Sequence, residues 1–217
     1  MEDYSEREIL MNYTVIAGVN GAGKSIFYNS GELDRSKLGV RVNVDELIAE
    51  RYNNNWKDFK TQIRAGKEIV REINRCIENK LSFNQETTLA GKTILNTIEK
   101  AKKLEYIINL HYIGINSPEL AISRVRERVL KGGHGIPDET IYSRYFNSLE
   151  NLQEILPICD NVYIYDNSVN KKNILIVENK IIKFKNVIPE YIESYIEPYI
   201  KELEYEMEME DEEELEL

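Results

Sequence analysis

Cysteine is scarce: the chain of 217 residues has two, Cys76 and Cys159. Both lie in apolar contexts without the spacing of metal ligands. That excludes a disulfide framework and fits a reducing compartment. No stretch approaches about 18 uncharged apolar residues, so no membrane span is expected. No basic run interleaves with aromatics, so nucleic acid has no support as a partner. The start, Met1-Glu2-Asp3-Tyr4-Ser5-Glu6, is acidic, which argues against a signal peptide. These absences lead one to expect a cytoplasmic location. A guanine-type Asn-Lys-x-Asp is also missing, since Asn170-Lys171-Lys172-Asn173 does not fit it.

Positive charge is short overall, with a formal net charge of −10. The deficit is local. From Glu190 onward there are 13 acidic residues and one basic residue, Lys201, whereas the first 189 residues hold 25 acidic and 27 basic. A nearly neutral body therefore carries an acidic block, expected to be solvated and disordered at its end. Its bland role is solubility; its functional one is docking to a basic partner.

What is present is a phosphate-binding signature. Gly18-Val19-Asn20-Gly21-Ala22-Gly23-Lys24-Ser25 fits G-x-x-x-x-G-K-[ST]. The apolar, β-branched Tyr13-Thr14-Val15-Ile16-Ala17 before it reads as a buried strand. Glycines let successive backbone N–H groups turn inward around a phosphate, and the following helix aims its N-terminus at the same anion. Lys24 is placed to reach the terminal phosphates of ATP or GTP. The Ser25 hydroxyl is placed to ligate Mg²⁺.

Strands and helices alternate beyond it. Strands are expected at Gly39–Val44, before Glu86, over Tyr106–Gly114 and over Asn161–Tyr165. Helices are expected over Trp56–Lys80, Thr93–Leu104 and Ser117–Lys131, and from Pro137 to about Leu156. In the long helix, Phe59, Ile63, Ile69, Ile73 and Ile77 recur near helical spacing. The pattern predicts an α/β protein with a P-loop nucleoside triphosphate hydrolase or kinase fold. It would have a mainly parallel five-stranded sheet, helices on both faces, and a small C-terminal hairpin and helix. The organisation expected is an extension over 1–12, a P-loop domain over 13–170 with a lid around 124–144, a packed hairpin and helix over 171–204, and an acidic tail over 205–217.

Ligands in such folds sit at the strand C-terminal ends. There the sequence places Asp45 and Glu86-Thr87-Thr88. A carboxylate at a strand end can take a hydroxyl proton or hold Mg²⁺; for Asp45 the bland role is a helix N-cap. Arg124 and Arg128 are four apart and share a helix face, while Arg126 points elsewhere. Gly132-Gly133-His134-Gly135 separates that helix from the one carrying Arg144, as a closing lid would require. His134 is placed either to contact a phosphate or to fill a turn. His111, in a strand, reads as a core or edge histidine.

These motifs together resemble the zeta-toxin family of P-loop kinases, bacterial toxins that phosphorylate UDP-N-acetylglucosamine. The resemblance covers about Tyr13 to Asn167 and rests on the P-loop, Asn43-Val44-Asp45-Glu46, Gln85-Glu86-Thr87-Thr88 and the Arg124 helix. It implies that Lys24, Asp45 and Arg124 are catalytic, Asp45 being the base. Glu86, Thr87, Thr88, Arg128 and His134 would join Asp45 on the substrate. An antitoxin-like protein would be a partner. The larger toxins have a second lid arginine where this chain has Gly132–Pro137, leaving His134, Arg128 or Arg144 to replace it. Two function classes follow: a small-molecule kinase using ATP and Mg²⁺, and a nucleotide-dependent ATPase or switch without an acceptor. Val42-Asn43-Val44-Asp45 is a poor version of the strand a switch needs.

Overall fold

A computed structural model describes residues 10–215. Its elements run β1 (Asn12–Ala17), α1 (Lys24–Asn29), β2 (Val40–Val42), α2 (Val44–Arg51), α3 (Phe59–Glu78), β3 (Phe83–Thr87), α4 (Lys92–Lys103) and β4 (Ile107–Gly114). Then come α5 (Pro118–Leu130), α6 (Asp138–Ile155), β5 (Asn161–Asp166), β6 (Lys172–Glu178), β7 (Ile181–Lys185) and α7 (Glu190–Leu215). Of the expected N-terminal extension, residues 1–9 lie outside the described residues, and Asn12 already belongs to β1.

The sheet has seven strands in the order β2-β3-β1-β4-β5-β6-β7. The first five are parallel, as expected. The C-terminal hairpin is not a separate addition: β6 pairs antiparallel with β5 and extends the sheet. The pairing covers the edge that β5 would otherwise leave open and buries Ile174, Leu175 and Val177. Its turn, Asn179-Lys180, has positive φ at both residues (50° and 67°), the geometry that matches strand twist in a two-residue hairpin. The central strands β1 and β4 are buried on both faces and mostly apolar, as strands covered by helices on both sides are. His111 on β4 is a core histidine. It stacks on Tyr163 at 4.5 Å, and burial, with Lys171 nearby, lowers its pKa to about 4.

Local chemistry sets several boundaries. The strand expected over Gly39–Val44 stops at Val42 because the Asn43 side chain accepts from the N–H groups of Asp45 and Glu46, starting α2. Asp45 is therefore in the first helical turn, not at the cap. Asp58 caps α3 in the same way, so that helix begins at Phe59 rather than Trp56. Phe59 and Ile63, expected on its buried face, are exposed; Ala65, Ile73, Cys76 and Ile77 make the contact. The acidic block is a correction too. α7 continues to Leu215, through a stretch rich in the strong helix formers Glu, Leu and Met. Its buried Ile192, Ile196, Tyr199 and Ile200 seat it on the body.

Gly39 just before β2 has φ of 68°, and a Cβ there would lie 1.9 Å from the carbonyl oxygen of Ser82. Gly39→Ala is expected to cost at least about 3 kcal/mol through strain and displacement of β3. For a chain of this size the melting temperature falls about 2–4 °C per kcal/mol, so a thermal melt reads it directly.

Candidate active site

The P-loop fills the turn from β1 to α1. Strand order reverses at β1, with β3 on one side and β4 on the other, and a crevice opens at that point. A Cβ at Gly18 would meet the carbonyl oxygen of Ile113 at 2.3 Å, so only glycine lets the loop pass β4. Lys24 curls back over the loop. Its Nζ donates to the carbonyls of Gly18 (2.8 Å) and Val19 (3.1 Å). Burial lowers its pKa, and the negative charges of Glu86 and Asp45 partly restore it.

Glu86 stands across from the loop because β3 runs beside β1, with Glu86 level with Ile16. Its Oε1 accepts from the Ser25 hydroxyl at 2.8 Å. Its Oε2 accepts from Arg41 Nη2 (2.8 Å) and Asn43 Nδ2 (3.1 Å). Asp45 opens toward the same space with its side chain 47% exposed. Among the described residues no group donates a hydrogen bond to its carboxylate, and His134 Nε2 lies 3.9 Å away. His134 is not a simple turn filler. Its ring stacks on Trp56 at 4.1 Å and 12°, and its carbonyl accepts from Arg128 Nη2 at 3.0 Å. Burial and the neighbouring Arg128 lower the His134 pKa against the pull of Asp45.

The helix-sharing arginines do turn inward. Arg124 donates to the carbonyl of Ser168 (2.9 Å), and Arg144 from α6 donates to Asn20 Oδ1 in the P-loop (3.1 Å). Arg126 faces outward and pairs with Asp138. Asn167 Nδ2 donates to the carbonyl of Ala22 (2.8 Å), tying the loop after β5 to the P-loop. Thr87 and Thr88 line the cleft, as do Gly21, Gly23, Lys24, Ser25, Asp45, Glu86, Arg124, Arg128 and His134. The cleft has a volume of about 1270 Å³. Single-ligand sites fall at about 300–1,000 Å³, so the cleft is larger than one such site.

Among the residues not foreseen at the site are Trp56 and Lys131, which line the cleft, and Arg41, which reaches it through Glu86. Arg41 left a signal. It is a charge inside the apolar strand Val40-Arg41-Val42, and a charge seldom enters a sheet without partners. Trp56 and Lys131 left none that local pattern could read, because only tertiary folding brings them to the cleft.

The sequence model of the zeta toxin family matches residues 10–181. The chain belongs to the zeta toxin family. An uncharacterized protein of Haemophilus influenzae is 28% identical over 128 residues, which cover 59% of this chain and 88% of that protein. Among solved structures, this zeta toxin family member superposes on one of the PezAT chromosomal toxin–antitoxin system of Streptococcus pneumoniae. The TM-score is 0.57 and identity 14%, over 90% of this chain and 88% of that one. It also superposes on the AvrRxo1-ORF1:-ORF2 complex with ATP, with TM-score 0.62 and 14% identity, over 87% of this chain and 63% of that one. Of two further solved chains it spans 48% and 62%. These likenesses carry the fold, that of the P-loop kinases. No helix among the described residues is long and apolar enough to cross a membrane.

Proposed function

We propose that this zeta toxin family member is a kinase that moves the γ-phosphoryl group of ATP to a hydroxyl of a small metabolite. One observation carries the reading: Asp45, whose carboxylate accepts no hydrogen bond among the described residues, and a phosphate loop open onto one cleft larger than a usual single-ligand site. Phosphoryl transfer needs positioning and electrostatic stabilisation more than covalent help. The P-loop amides and Lys24 hold the donor phosphates. Asp45 accepts the acceptor's hydroxyl proton. Arg124 offsets charge on the transferring group. ATP as donor gains support from the ATP in the AvrRxo1 complex.

The donor set fits Mg²⁺. The Ser25 hydroxyl and the Glu86 carboxylate meet at 2.8 Å, and hard oxygen donors of this kind suit that ion. When bound, Mg²⁺ supplies neutralisation of charge on the β- and γ-phosphate oxygens. The contact with Ser25 supports a place for Glu86 beside the metal, leaving Thr87, Thr88, Arg128 and His134 for the acceptor.

Arg128, Lys131 and Arg144 in the cleft, beyond Lys24 and Arg124, favour an acceptor that carries phosphates of its own. UDP-N-acetylglucosamine is such a molecule. A protein partner of antitoxin type is part of the same proposal, in line with the toxin–antitoxin system of the PezAT structure.

The test is ATP consumption by purified protein with Mg²⁺, with and without UDP-N-acetylglucosamine. Stimulation of at least tenfold is the expected result. Turnover indifferent to that sugar nucleotide and to a metabolite panel would favour an ATPase or switch instead.

A further inference from the structure

We propose that Arg41 is a positioning residue for the metal site, fixing Glu86 against Ser25. Strand geometry explains how it gets there. Arg41 pairs in register with Asn84 on the neighbouring strand, and alternation puts Asn84 and Glu86 on one face of β3. From β2, Arg41 Nη1 donates to Asn84 Oδ1 at 3.1 Å, while Nη2 donates to Glu86 Oε2 at 2.8 Å. Nε and Nη2 also donate to Glu46, at 3.2 and 2.9 Å. Tyr28 of α1 covers the guanidinium plane, 3.7 Å from its carbon to the ring centre. Asn84 is in turn anchored through Nδ2 to the carbonyl of Leu38. A guanidinium with both edges and a face occupied has little freedom left.

Stability is a poor explanation for this arrangement. Arg41 and Glu86 are 17% and 9% exposed, and a buried ion pair is often no more stabilising than well-packed apolar residues. The pair does accomplish one thing an apolar pair could not. It holds Glu86 Oε2 from behind, so that Oε1 faces the hydroxyl that would ligate the metal. Asn43 adds a second donor to the same Oε2 and caps α2, which carries Asp45. The clamp therefore sets the metal-side carboxylate and the base in one frame. Only a planar fork reaches Asn84, Glu86 and Glu46 at once; a lysine is a point charge.

This inference rests on the proposed metal role of Ser25 and Glu86. Calorimetric titration of the full chain with ATP, once in Mg²⁺ and once in EDTA, separates the two. Native protein is expected to bind ATP more tightly with Mg²⁺. Arg41→Gln is expected to lose at least tenfold in affinity for Mg·ATP while its affinity in EDTA stays within about twofold. Arg41→Lys, which keeps the charge but not the planar fork, should lose part of the same ratio. In the Glu86→Gln background, Arg41→Gln should add nothing further, which a general loss of stability would not reproduce. An unchanged Mg²⁺-to-EDTA ratio in both Arg41 variants overturns the positioning role alone. A native protein whose ATP affinity ignores Mg²⁺ overturns the metal reading and this inference with it.

Discussion

Asp45→Asn is expected to lower kcat by about 10²–10⁴-fold, the usual share of a positioned general base, with ATP affinity nearly unchanged. Asparagine keeps the shape of the side chain and removes its capacity to take a proton. Fold effects should be small for three reasons. Asn43, not Asp45, caps α2. Among the described residues, no hydrogen bond is donated to the Asp45 carboxylate. What is lost is a favourable charge in the first helical turn, about 0.3–1 kcal/mol. Steady-state kinetics beside ATP titration and a thermal melt would separate these effects. A kcat loss below tenfold, in a variant that binds ATP normally, would assign proton removal to water or another group. His134, 3.9 Å from Asp45, would be the next to replace.

How much of this was legible in advance depends on the range of the interactions involved. The P-loop reads from sequence because its chemistry is local: glycine conformations, a lysine and a hydroxyl within eight consecutive residues. The parallel sheet reads from strand–helix alternation for the same reason. Asp45 reads as a strand-end carboxylate, yet its freedom from capping depends on Asn43, two residues away, winning the backbone N–H groups. Phe59 and Ile63 follow helical spacing yet face outward, since periodicity fixes a stripe and not what covers it. The hairpin was visible, but its union with the sheet was not, because β5 and β6 are joined by edge pairing rather than pattern. Arg41 was least visible. Its worth lies in partners 43 and 45 positions away, Asn84 and Glu86, brought near by β2–β3 register. Trp56 and His134 likewise meet across 78 positions to form one stacked wall of the cleft.

Lys24→Met should show the opposite pattern to Gly39→Ala: activity lost and stability kept or gained. Removing the cation that grips the donor phosphates is expected to lower kcat/KM by about 10²–10³-fold, the range seen when one preorganised electrostatic contact is lost. The fold, however, holds Lys24 at a cost. Its ammonium is buried, satisfied by two carbonyls, and its pKa lies below the ordinary 10.5 because burial disfavours the charge. The unfolded chain keeps that proton up to about pH 10.5, while the folded chain releases it sooner. Between the two values the unfolded state binds more protons, so unfolding free energy from this group rises with pH. Below the folded pKa the penalty is fully present. Methionine fills similar space without charge, so the variant should be at least as stable as the native protein near pH 7. Its advantage should shrink as pH climbs toward 10.5. Denaturation of both proteins at a series of pH values measures the difference directly, with the other titrating groups common to both. Added ATP and Mg²⁺ should then reverse the ranking, since phosphates give the buried ammonium a charged partner where carbonyls alone accept from it. A Met variant that is less stable at neutral pH and stays so at high pH would mean that Lys24 holds the loop together rather than waiting for phosphate.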